Sequence, residues 1–128
     1  MEQPTKKILV IDDDERNIFA LKAVLTARGF NCATARSGLQ AVQLLQQQRD
    51  IGLALVDMMM PGMDGYQLMD LVRKIPALQH IKLVAVTAQA MAGDREKCLA
   101  AGADAYISKP VDTDILFRIL QEQLEQTG

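Results

Sequence analysis

Two cysteines, one histidine and no large excess of either charge sign narrow the functions open to this 128-residue chain before any motif is considered. Cys32 and Cys98 lie far apart, with neither metal-ligand spacing nor a second pair, so they read as reduced packing residues. The single histidine, His80, follows Pro76 in an expected exposed loop, which leaves no histidine for a long paired helix. Lysine and arginine total 14 against 16 acidic residues, and the net charge of -2 offers no basic face for nucleic acid. The longest apolar stretch, roughly residues 52–63, contains Asp57 and Pro61 and falls short of the ~18 residues that suggest a membrane span. The N-terminal MEQPTKKILVIDDD has no apolar core ahead of a cleavage site, so a cytoplasmic chain is expected.

What remains is a balanced composition, 49% apolar and 23% charged, at a length that suits one domain over residues 1–128 with a core from about 6 to 124. Five aliphatic or β-branched runs recur: KKILVI (6–11), FNCATA (30–35), IGLALV (51–56), IKLVAV (81–86) and AYI (105–107). Helical spacing fills the gaps. Ile18, Leu21 and Leu25 share a face before Gly29, and Ser37 with Gln40 reads as a capping box ahead of Ala41, Leu44 and Leu45. A third helix starts near Asp64, carries Leu68, Leu71, Val72 and Ile75, and ends at Pro76. The fourth, from about Met91 to Ala101, is the weakest because Gly93 falls inside it and costs about 1 kcal/mol against Ala. The fifth presents Ile115, Leu116, Ile119, Leu120 and Leu124. Strict β-α alternation argues for a parallel sheet covered by helices on both faces.

In such sheets ligands sit beyond the carboxyl ends of the strands. There the chain places Asp12, Asp13 and Asp14 after the first strand, Asp57 after the third, Thr87 after the fourth, and Ser108, Lys109 and Pro110 after the fifth. The second strand delivers Arg36 and Ser37, a helix cap, which suits a lateral position outside the site. Crowded carboxylates repel one another unless a cation joins them, and an oxygen-only donor set suits Mg²⁺, with Mn²⁺ as an alternative. Lys109 and the Thr87 hydroxyl then offer a positive charge and a hydrogen bond to phosphoryl oxygens. An aspartate so placed can attack phosphorus and form an acyl phosphate, which explains why a buried strand ends on Asp57.

The ordered blocks ILVIDDDE, LALVDMMMPGMDG, VAVTA and AYISKP resemble those of the receiver domain of two-component response regulators, from about Lys6 to Leu124. RNIFAL (16–21) and GDREKCLAAGADAYISKP (93–110) look most similar to receivers of hybrid sensor histidine kinases. The resemblance implies a flavodoxin-like, doubly wound five-stranded parallel sheet of order 2-1-3-4-5, with five helices in a three-layer sandwich. It implies Asp57 as phosphoacceptor, Asp13 and Asp57 as direct Mg²⁺ ligands, Asp12 acting through water, and Met59 binding through its carbonyl. Lys109 would contact the phosphoryl group, with a cis Lys109-Pro110 bond, while Thr87 and Tyr106 would form a switch pair and the small Ala88 would leave access. The expected module is regulatory rather than an enzyme, although it assists its own phosphorylation and dephosphorylation. The donor is a sensor histidine kinase or histidine phosphotransfer protein, docking near Asn17, Ile18, Leu21 and Pro110, and the surface of helix 4, strand 5 and helix 5 meets an unidentified output partner. Met59 and Gln89 would flank the phosphoryl group, and because a Met cannot orient an attacking water, whereas Gln could, a phosphoryl state lasting longer than that of receivers with two polar groups there is expected.

Plainer readings apply to several neighbours. Asp14 and Asp64 suit helix N-caps, and Met58, Met59 and Met60 suit loop and core packing better than thioether metal binding. An enzyme alternative is a haloacid-dehalogenase-like phosphatase with Asp12 as nucleophile and Asp14 as its acid-base partner, a scheme that leaves Asp57 idle. A flavodoxin-like cofactor binder is disfavoured, because the first turn, DDDER, would repel a cofactor phosphate.

Overall fold

A computed structural model describes residues 6–88 and 91–125. Five parallel strands, β1 (Lys7–Ile11), β2 (Cys32–Ala35), β3 (Ile51–Asp57), β4 (Lys82–Thr87) and β5 (Ala105–Ser108), alternate with five helices. These are α1 (Glu15–Ala27), α2 (Gly38–Gln47), α3 (Gly65–Lys74), α4 (Asp94–Ala100) and α5 (Thr113–Glu125), and the strand order is β2-β1-β3-β4-β5. Chain direction across the sheet therefore reverses between β1 and β3, and the crevice beyond their carboxyl ends is where such a sheet binds ligands.

The side-chain period of two divides the central strands between two cores. Leu9 and Ile11 of β1, Ala54 and Val56 of β3, and Leu83 and Ala85 of β4 meet Leu45, Leu68, Val72 and Cys98 from α2, α3 and α4. Ile8 and Val10, Leu53 and Leu55, and Val84 and Val86 meet Ile18, Leu25, Leu116 and Leu120 from α1 and α5. This explains why β3 is apolar at every position before Asp57, since both of its faces are covered.

Local chemistry sets the helix boundaries. Asp14 caps α1 by accepting the Arg16 N–H, and Asp64 forms a full capping box with Gln67 at the start of α3. Ser37 accepts the Gln40 N–H, but the Gln40 side chain accepts from the Arg36 N–H, one residue earlier than a capping box requires. The expected fourth helix is shorter than its sequence suggested. It begins at Asp94, and Gly93 is the N-cap at φ +86, a left-handed conformation that glycine adopts freely, so no interior glycine weakens it.

The amino-terminal edge of the sheet is closed by Arg73 of α3. Its guanidinium donates to the Gly102 carbonyl at 3.0 and 2.9 Å, to the Ile81 carbonyl at 2.9 Å and to the Asp104 carboxylate at 2.7 Å. Asp104 in turn accepts the Leu83 N–H at 2.8 Å, tying α3, β4 and the loop before β5 together. Among the described residues no helix is long and apolar enough to cross a membrane.

Candidate functional site

Strand register brings the acids together. Ile11 pairs with Val56, so the residues that follow, Asp12 and Asp57, stand side by side at the reversal point of the sheet. Both extend the rows that face α1 and α5, and both are buried, at 3% and 4% exposure. Asp13 joins them: one oxygen from each of Asp12, Asp13 and Asp57 lies within 4.8 Å of the others. Asp12 divides its oxygens, with Oδ1 accepting the Asp14 N–H at 2.9 Å and Oδ2 facing Lys109 Nζ at 3.4 Å. Asp57 Oδ1 accepts the Met59 N–H at 3.1 Å and lies 3.6 Å from the same ammonium.

Lys109 arrives from the far side of the sheet. Thr87 pairs with Ser108, the Lys109 N–H donates to the Thr87 carbonyl at 2.8 Å, and the Lys109-Pro110 bond is cis. Thr87 is buried at the end of β4, and Tyr106, opposite Ala85, packs against the same core that Ala85 enters. Gly65 lets the start of α3 approach the end of β3 closely, because a Cβ there would lie 2.7 Å from the Met58 Cα.

Electrostatics follow from burial. Desolvation pushes the Asp57 carboxyl above its ordinary range; the Met59 N–H and Lys109 pull it down, and the Asp12 charge pushes it up. Three clustered acids, two of them paired with one lysine, carry an excess of negative charge, and their hard oxygens suit a small divalent cation. Asp14 takes no part, since its carboxylate is occupied as the α1 cap.

The profile of the response regulator receiver domain matches residues 8–121. The chain belongs to the response regulator receiver domain family. This receiver is 40% identical over 112 residues to the response regulator PleD of Caulobacter vibrioides, covering 87% of the chain and 24% of PleD. It is 32% identical over 120 residues to the polar-differentiation response regulator DivK of Brucella ovis, covering 94% of the chain and 97% of DivK. Hybrid signal transduction histidine kinase I of Dictyostelium discoideum is 34% identical over 125 residues, 93% of the receiver but 7% of that kinase. A CheY-like receiver domain protein from Methanospirillum hungatei superposes with a TM-score of 0.85 at 30% identity over 95% of both chains. The receiver is thus a phosphoacceptor module of two-component signalling, and nothing in these likenesses supports a haloacid-dehalogenase-like phosphatase.

Beside the acids runs a largely apolar groove of about 540 Å³, lined by Asn17, Leu21, Val24, Lys109, Pro110 and Val111 among others. Asn17, Leu21 and Val24 form an i, i+4, i+7 stripe on α1. Ile18 does not line this groove: it is rotated one position around the helix and is buried toward the sheet with Leu25. Val24 and Val111 were missed in the sequence, although the spacing of Val24 from Asn17 and Leu21 was available to find it. Met59 lies in the loop after β3 and is 56% exposed, and Gln89 falls outside the described residues.

Proposed function

We propose that Asp57 is the phosphoacceptor of this receiver and that the donor is a phosphohistidine on a sensor histidine kinase or histidine phosphotransfer protein in the cytoplasm. One observation carries the reading: Asp57 is buried between a second carboxylate, Asp12, and the ammonium of Lys109, where it is poor as a resting charge but well placed to receive an anion. In the transfer, an Asp57 carboxylate oxygen forms the new bond to phosphorus as the P–N bond to imidazole breaks. The electron pair returns to the ring nitrogen. Lys109, held by the Thr87 carbonyl and by Asp12, meets the negative charge on the transferred oxygens.

Asp12, Asp13, Asp57 and the Met59 carbonyl are the groups that would hold Mg²⁺ or Mn²⁺. When bound, that ion supplies the positive charge that lets the carboxylates and the phosphoryl oxygens coexist. Ala88, at the edge of the groove, leaves the approach open, and the Asn17–Leu21–Val24 stripe with Pro110 gives a donor helix an apolar seat beside the acids. Thr87 moves toward the new phosphoryl oxygens, Tyr106 follows, and the surface of α4, β5 and α5 changes its affinity for an output partner. The Met59 side chain offers no group to orient an attacking water, so the phosphoryl state outlasts that of receivers carrying two polar side chains beside the phosphoryl group. The domain assists both its own phosphorylation and its own dephosphorylation.

Intact mass after incubation with acetyl phosphate and Mg²⁺ tests this assignment. One phosphoryl adduct is expected, lost in Asp57→Asn and diminished in Asp12→Asn. An adduct retained in Asp57→Asn would refute it.

A further inference from the structure

Both tyrosines of the chain converge on one carboxylate that no step above uses. The Tyr106 hydroxyl donates to Asp94 Oδ2 at 3.0 Å, and the Tyr66 hydroxyl donates to Asp94 Oδ1 at 3.4 Å. The Tyr66 oxygen also lies 3.6 Å from Cys98 Sγ, and the Lys97 ammonium sits 4.8 Å from the centre of the Tyr66 ring. Three elements meet here: α3 supplies Tyr66, α4 supplies Asp94, Lys97 and Cys98, and β5 supplies Tyr106. Burial holds both hydroxyls above the ordinary tyrosine range, with Cys98 and then Asp94 adding to it at Tyr66 and Asp94 at Tyr106, so both remain donors throughout the neutral pH range.

The two ends of α4 are held by different means. Beyond its carboxyl end, Arg73 grips the Gly102 carbonyl and the Asp104 carboxylate. At its amino end Asp94 is the first helical residue, and it is joined to α3 through Tyr66 and to β5 through Tyr106. A displacement of Tyr106 breaks one of these two bonds and leaves the other in place.

We propose that Asp94 is a positioning residue of the switch: it holds the Tyr106 hydroxyl to α4 in the unphosphorylated receiver and keeps Tyr66 when Tyr106 leaves. The α4–β5 junction then opens while the α3–α4 junction stays closed. This inference rests on the Thr87–Tyr106 switch described under the proposed function. A hydrogen bond to a charged acceptor, present in one state only, shifts the balance between the states about tenfold or more.

Because the chain has two tyrosines, 3-fluorotyrosine labelling gives two fluorine-19 resonances, assigned with Tyr66→Phe. Beryllium fluoride with Mg²⁺ serves as the phosphoryl analogue. In the parent, the analogue should move the Tyr106 resonance and leave that of Tyr66 nearly in place. In Asp94→Ala without analogue, the Tyr106 resonance should already lie at least halfway to its analogue-bound position, and half-saturation should need about tenfold less beryllium fluoride. With Tyr106→Phe as background, Asp94→Ala should change half-saturation by less than about twofold, an outcome that a merely structural role for Asp94 does not give. Asp94→Asn, which keeps one acceptor oxygen, should fall between parent and Asp94→Ala, and it carries the same readouts if the alanine variant does not fold. A Tyr106 resonance unmoved by bound analogue in the parent would overturn the switch reading and this inference together. A resonance that moves in the parent, with Asp94 variants matching it in spectrum and affinity, or an equal effect with Tyr106→Phe, would overturn the role of Asp94 alone.

Discussion

Replacing Asp13 with Asn should stabilise the metal-free receiver and remove most of the stabilisation that magnesium confers. Asp13 lies within 4.8 Å of both Asp12 and Asp57, and the ion pairs of Lys109 go to those two, so the substitution relieves repulsion while breaking neither pair. At the 4.8 Å limit two like charges repel by roughly 3.5 kcal/mol at an effective dielectric of about 20, and by under ~1 kcal/mol in water. Screening at the open side of the crevice places the expected gain at about 1–2 kcal/mol, a rise in Tm of roughly 3–10 °C for a domain of this size. Magnesium at ten times its Kd adds about 1.4 kcal/mol to a protein that binds it only when folded. The parent should show that gain and Asp13→Asn less than about a third of it, because the site proposed above loses one of its carboxylate ligands. Urea unfolding followed by circular dichroism at neutral pH, in EDTA and in excess Mg²⁺, measures all four stabilities. A variant less stable than the parent in EDTA, or one that gains equally from Mg²⁺, would refute the reasoning.

Gly65→Ala places a Cβ 2.7 Å from the Met58 Cα and 3.1 Å from the Asp57 carbonyl, contacts that no side-chain rotation relieves. It should cost about 1–3 kcal/mol in urea unfolding and slow phosphorylation by acetyl phosphate, because the displaced backbone carries Asp57. Arg73→Ala strips hydrogen bonds from the Gly102 and Ile81 carbonyls and the Asp104 carboxylate at the opposite edge of the sheet. A loss of about 2 kcal/mol is expected from denaturant curves, discounted for the partial exposure of the pair, with the phosphorylation rate unchanged. In folded, metal-free protein the Asp57 carboxyl is raised above the unfolded value of 3.8, chiefly by burial, so the folded state binds that proton more tightly. Its contribution to stability is present below the unfolded pKa and is lost as pH rises through the folded pKa. Asp57→Asn should therefore flatten the stability curve across that window and exceed the parent at neutral pH; urea titrations in EDTA check this.

Much of the fold was legible because its sheet is buried on both faces, which writes strands as apolar runs and their ends as sudden polar residues. The apolar reading stopped one residue short at Val56, Val86 and Ile107, where backbone pairing continues through Asp57, Thr87 and Ser108. Register, rather than composition, puts Asp12 beside Asp57, yet the sequence exposed both as the first carboxylates after central strands. Gly93 misled because a glycine inside a helical pattern and a glycine at its cap look alike until φ is known. The meeting of Tyr66, Asp94 and Tyr106, and the grip of Arg73 on Gly102 and Asp104, leave no local periodicity to read. Their partners lie 12 to 31 residues apart and are joined only by the packing of α3, α4 and β5.

The assignment of the acceptor is tested most directly by locating the acyl phosphate itself. After phosphorylation with Mg²⁺, borohydride reduction converts an aspartyl phosphate to homoserine, which peptide mass spectrometry places in the chain. Homoserine at position 57 is the expected result; homoserine at position 12, with Asp57 intact, would contradict it.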